Sequence, residues 1–209
     1  MNSDEPISMN LTHHFLIAMP SLMDEMFSRS VVYMCEHSER GALGLVINKP
    51  SPMSMTSLFE KVDLPLGRLD LSLSPVFIGG PVHSERGFVL HEAFELDPKA
   101  QNATEADASG HDPIYASTLS IPGGLEMTTS RDVLQALSTG AGPKRVLISL
   151  GYSAWAQGQL ESELAENAWL TVDADPAVIF DTPIDERYDK ALSLLGLESW
   201  MISPSAGRA

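Results

Sequence analysis

The sequence predicts an α+β protein: one domain on a mixed or largely antiparallel sheet, with a few flanking helices. Three observations predict it. Short apolar runs rich in β-branched and aromatic residues, each bounded by Gly, Pro or charge, outnumber helical patterns. Strands and helices do not alternate regularly, as a doubly wound fold requires. The 209 residues are 44% apolar and 20% charged, with a mean hydropathy near zero, which suits one globular core rather than a disordered or membrane-spanning chain.

The runs at 15–18, 30–36 and 42–48 read as the opening strands, the last ending at Lys49 and Pro50. Leu58, Phe59 and Val62 share one side of a helix over 55–64. Strands follow at 75–78, stopped by Gly79, Gly80 and Pro81, and at 87–91. Thr129 or Ser130 caps a helix carrying Val133, Leu134 and Leu137, which Gly140 closes. Next come a strand at 144–150 and a helix at 159–167, where Leu160, Leu164 and Ala168 recur every fourth residue. Strands at 168–172 and 177–180 and a helix at 185–195, stopped by Gly196, complete the set. Residues 1–9 read as a flexible terminus and 10–209 as the domain. Within it, 97–112 has no aliphatic residue larger than Ala and reads as a mobile loop or insertion.

Charge narrows the function. With 13 Lys+Arg against 28 Asp+Glu, the formal charge is −15. Coating nucleic acid or an anionic membrane needs a positive surface, so neither is expected as a partner. The acids are also unevenly placed. No Lys or Arg lies between Arg145 and Arg187, whereas Glu161, Glu163, Glu166, Asp173, Asp175, Asp181, Asp185 and Glu186 do. That stretch predicts a negative surface and a basic or cationic partner. The lone Cys35 excludes an intrachain disulfide and a cysteine metal cluster. An acidic N-terminus without a signal-peptide pattern, and no apolar run near the ~20 residues of a membrane span, suggest a cytoplasmic protein.

Chemical motifs are weak. The segment from Gly151 to Trp155 resembles a G-x-S-x-G elbow around Ser153, but Trp155 stands where the last glycine belongs. No histidine follows Ser153, so a turn packing Tyr152 and Trp155 against a sheet edge explains it better. His91 and Glu92 begin like H-E-x-x-H, yet Glu95 replaces the second histidine and the context is a strand, so no metal site is expected. Gly79, Gly80 and Pro81 could bring backbone close to a ligand but match no phosphate-binding pattern. Cys35 lies in an apolar strand as an inert thiol. Gln159, Glu163 and Glu166 form the polar side of a helix flanked by Tyr152, Trp155 and Trp169, a candidate partner patch that also reads as a solvated face.

Several segments together carry a resemblance. They are NLTHHFLIAMP at 10–20, SVVYMCEH at 30–37, GALGLVINKP at 41–50, and GGPV at 79–82 with GFVLH at 87–91. LGY at 150–152, GQLE at 158–161, NAWL at 167–170, IFD at 179–181 and AGRA at 206–209 continue it. In this order they resemble the AlgH/YqgE family of bacterial proteins. The resemblance implies a cytoplasmic α+β domain with no established enzymatic activity and no cofactor, sometimes labelled a transcriptional regulator. Three departures stand out: Ala154 where the family usually has Gly, Tyr188 near a common Trp, and the long polar stretch at 97–112.

Three functions follow as expectations. The first is an indirect, non-enzymatic regulator that binds a protein or small ligand. Its surface would include Asn48, Lys49, Gly79, Gly80, Pro81, His91, Tyr152, Trp155, Gln159 and Glu161. The second is an enzyme of unknown substrate with a carboxylate/His pocket drawn from Asp24, Glu36, His37, His91 and Glu161. The third is a direct DNA-binding regulator, for which no helix-turn-helix is evident.

Overall fold

The computed structural model describes residues 9–93 and 114–202. The 97–112 stretch, the first eight residues and the closing AGRA motif lie outside the described residues. Ten strands form one curled sheet: β1 (His14–Ala18), β2 (Val31–Ser38), β3 (Gly41–Val46), β4 (Pro50–Ser54), β5 (Pro75–Ile78), β6 (Val82–Glu92), β7 (Thr118–Ile121), β8 (Leu125–Thr128), β9 (Val146–Ala156) and β10 (Trp169–Asp173). Five short α-helices accompany them among the described residues: α1 (Met55–Lys61), α2 (Arg131–Ser138), α3 (Gln159–Ala165), α4 (Pro176–Phe180) and α5 (Arg187–Ser193).

The main strand order is β10-β1-β2-β3-β9-β6-β8-β7, with β4 and β5 branching beside β9. All described pairs are antiparallel except β5 with β9. Period-two alternation sorts the side chains to two faces. Phe15, Ile17, Val31, Tyr33, Leu45, Leu90 and Leu147 point into the curl, where α4 and α5 add Val178, Ile179, Tyr188 and Leu192. The outer face of one half buries Leu16, Val32, Met34, Trp155 and Trp169 under Leu160 of α3. The outer face of the other half buries Val76, Val89 and Ile148 under α1 and α2.

β9 organises the sheet. One edge pairs with β6, while the other pairs first with β5 and then with β3. Gly79 stands where those two strands meet: its N–H donates to Leu150 O and its carbonyl accepts from Val46 N–H, both at 2.9 Å. The backbones cross so closely that a Cβ on Gly79 would lie 2.3 Å from Gly151 O, and one on Gly80 2.3 Å from the Tyr152 carbonyl carbon. Gly151 takes φ +72, a left-handed conformation that glycine adopts without steric cost. Side-chain parity shifts there, so that Leu147 before it and Tyr152 after it both face the inner core.

Two expectations need correction. Residues 151–155 are central strand rather than a turn, because the single Gly151 kinks β9 without ending it. Residues 177–180 are helix rather than strand: Asp175 caps the N-terminus by accepting from Ala177 N–H, and Pro176 opens the first turn with its φ already helical.

Candidate functional site

The helix α3 gathers Trp155, Gln159, Glu161 and His37. Gly158, at φ +75, turns the chain from β9 into the helix. Leu160 is the apolar anchor beneath it, 1% exposed. Oε2 of Glu163 accepts the indole N–H of Trp155 at 2.9 Å and that of Trp169 at 2.8 Å. Its Oε1 accepts from Gln159 Nε2 at 3.0 Å, and Gln159 Oε1 accepts from Ala156 N–H at 3.0 Å. The two indoles meet edge to face at 6.1 Å, with Phe27 against both. Trp155 and Trp169 are thus buried supports of α3, 5% and 4% exposed, rather than surface anchors.

His37 reaches this site because of a β-bulge. The register shifts between Met34 and Glu36, so that Glu36 pairs with Leu43 and His37 with Ala42 on the α3 side. His37 Nδ1 accepts the N–H of Leu11 at 3.0 Å, which assigns the proton to Nε2. Nε2–H donates to Glu161 Oε1 at 3.0 Å. Both ring nitrogens are therefore occupied. The Glu161 side chain is half exposed, at 49%, whereas that of His37 is 2% exposed.

The other candidates sit elsewhere. His91 lies on β6 with its Nδ1–H donating to Glu92 O at 2.8 Å and its Nε2 2.9 Å from Thr128 Oγ1, fully buried beside Tyr115. Burial pushes the His91 imidazole below its ordinary value. Asp24 Oδ1 accepts from Met26 and Phe27 N–H, closing a surface turn. Asn48 accepts from Val31 N–H at 2.8 Å and donates to Arg29 O at 2.9 Å, and Lys49 donates to Glu25 O at 3.3 Å. Asn48 and Lys49 thus bind the loop before β2 to the segment that follows β3. Gly79 and Gly80 are buried in the backbone crossing, whereas Pro81 is exposed. Tyr152 packs on Phe88 at 5.2 Å and on His83 at 6.0 Å, beside an open cleft of about 410 Å³.

Three groups with chemical potential are thus in three places: His37 with Glu161 under α3, Glu36 at the bulge, and His91 on the far half of the sheet. Ser153 Oγ donates to Gly79 O at 3.1 Å and is 1% exposed. The Cys35 thiol is buried, and that burial pushes its pKa up. Among the described residues, no three His, Cys, Asp or Glu side chains could share a metal ion, and no helix is long and apolar enough to cross a membrane.

Arg187 is not marked by any sequence motif, and Glu163, expected on the polar side of the helix, proves to be a support for two buried indoles instead. Glu163 carried only the i,i+4 spacing to Gln159, which equally suits a solvated face. Nothing in the chain announced that two indoles from β9 and β10 would converge on it.

A single curled, mostly antiparallel sheet braced by short helices on both faces defines this α+β class. The model of the DUF179 family, described as AlgH-like, matches residues 15–200. The chain is 70% identical to a UPF0301 protein of Paracidovorax citrulli over 206 residues, covering 96% of this chain and 97% of that one. It is 67% identical to one of Delftia acidovorans, covering 99% and 100%. The solution structure of the AlgH protein from Pseudomonas aeruginosa superimposes with a TM-score of 0.71 at 42% identity over the whole of both chains. A crystal structure from Corynebacterium diphtheriae shares the fold at TM-score 0.64 and 19% identity, covering 92% and 88%. The chain belongs to the AlgH-like family.

Proposed function

We propose that the protein is a non-enzymatic, cytoplasmic adaptor that influences gene expression indirectly, by presenting the acidic outer face of α3 to a basic protein partner. One observation carries the reading: Glu161 and Glu166 project from a helix whose Gln159 and Glu163 side chains are tied down. Glu161 is held by His37, and Glu163 ties the helix to two buried tryptophans, so the charged face is presented without a large ordering cost on binding. The imidazole beside it does not stand free as a base, since both nitrogens of His37 are occupied, and His91 is remote. Elsewhere in the acid-only stretch between Arg145 and Arg187, Asp173, Asp175 and Asp185 are exposed as well, which adds to the negative field around the protein.

A gel-shift titration of duplex DNA across salt concentrations separates this reading from direct DNA recognition. No retarded band is expected near physiological ionic strength. Salt-sensitive retardation there overturns the indirect reading, because neutralising phosphates releases counterions.

A further inference from the structure

Arg187 opens α5 and is 6% exposed, yet no carboxylate lies within ion-pair distance of it among the described residues. Its Nε donates to Thr182 O at 3.0 Å, its Nη1 donates to Ile47 O, and its guanidinium carbon sits 5.1 Å from the centre of the Phe77 ring. Nη2 makes no hydrogen bond to the described residues, but it is not among the sealed unpaired atoms, so it still reaches solvent. Burial lowers the Arg187 pKa to about 10, which leaves the group charged at neutral pH. A buried charge answered only by dipoles and a ring is expensive. In a chain with 28 acids and 13 bases, a missing counter-charge is the more unusual.

Arg187 lines a cleft of about 420 Å³ between the start of β9, β5 and the α4–α5 connection. Phe77, Ile179, Phe180 and Ile184 supply apolar walls, and Lys144 stands exposed at its margin. The lining acid, Asp181, is taken by Arg145 at 2.7 Å, and Arg145 also pairs with Glu92. Lys144 makes no ion pair among the described residues. Arg187 is therefore a buried positive charge with no carboxylate partner in a mostly apolar cleft, with the exposed Lys144, which also feels Glu92, at its margin, the composition of a small-molecule site.

We propose that this cleft binds a small amphiphilic monocarboxylate, its carboxylate on Arg187 Nη2 and its hydrocarbon body against Phe77, Phe180 and Ile184. A monoanion fits better than a phosphate dianion, because two sides of the guanidinium are already held by backbone carbonyls. The site is independent of the α3 surface.

The test uses octanoate as probe, with octanol and inorganic phosphate alongside, followed by amide chemical shifts of the full chain. Octanoate should perturb residues of the cleft saturably, with Kd at about 1 mM or below. Octanol and phosphate should each bind roughly tenfold more weakly or not at all, the loss expected on removing a charge-assisted hydrogen bond or the apolar body. Ile184→Trp fills the cleft without touching the charge and should abolish the perturbation, and Lys144→Gln should weaken it about threefold through the lost charge. Arg187→Gln is the direct variant, and Ile184→Trp keeps the test decisive where Arg187→Gln loses stability. No saturable shift with octanoate, equal binding of octanol or phosphate, or unchanged binding to Ile184→Trp overturns the proposal.

Discussion

The indole N–H groups of Trp155 and Trp169, from two strands far apart in the sheet order, end on one oxygen of Glu163. This convergence fixes how α3 sits on the sheet, and hence where its acids point. It also makes Glu163 a support for the surface rather than part of it.

Glu163→Ala should therefore cost stability. Two buried indole donors lose their acceptor, and each unmet donor costs about 1–3 kcal/mol, which suggests a loss of roughly 2–6 kcal/mol. Urea denaturation followed by tryptophan fluorescence measures it. A Trp200→Phe background removes the exposed third tryptophan, 65% accessible, so that emission reports the pair alone. Glu163→Gln, which keeps an acceptor oxygen, should retain part of the loss.

Two glycines with nearly the same φ make a controlled comparison. Gly151 (φ +72) would place a Cβ 2.5 Å from Gly80 O, whereas Gly158 (φ +75) has nothing within 4 Å. Gly158→Ala should cost only the left-handed backbone penalty, about 1–2 kcal/mol. Gly151→Ala adds a backbone clash at the β9 crossing and should destabilise by more than about 3 kcal/mol, or abolish folding. Thermal unfolding of both variants decides. Equal costs contradict the crossing as a tightly packed joint.

Acid should weaken the fold. Burial holds His91 below its ordinary value near 6.5, and burial with the neighbouring His14 does the same to His13. A base whose folded pKa is depressed binds protons first in the unfolded chain, so its contribution is whole above about 6.5 and declines as pH falls through that value toward the folded pKa. The urea midpoint should drop between pH 7 and pH 5. His91→Asn, which can keep the hydrogen bond to Glu92 O, should flatten that slope.

Much of the fold was legible because strands announce themselves locally. The runs at 75–78 and 168–172 needed only β-branched residues and flanking breakers. The errors came from signals with two meanings. Ala177 to Phe180 are all apolar, and only the preceding Asp175 and Pro176 identify them as helix. Gly151 reads as a strand stop or a strand kink, and the choice depends on Gly79 and Gly80, distant in sequence. The site was less legible still. His37 faces α3 only because a bulge at Cys35 reverses its side, and straight alternation from Tyr33 would have sent it to the opposite core. Trp155 looked like an anchor because its burial depends on α3 and β10 covering it together.

The central claim, a rigid acidic α3 face that meets a basic partner, is tested most directly by a charge variant that leaves the fold intact. Glu161→Gln with Glu166→Gln keeps an acceptor for His37 and should change unfolding stability by no more than about 0.5 kcal/mol. Crosslinking capture from cells, quantified by mass spectrometry against wild type, should then lose its basic, salt-sensitive partners in the variant while nonspecific background stays constant. An unchanged partner list, with the variant folded as well as wild type, contradicts the account.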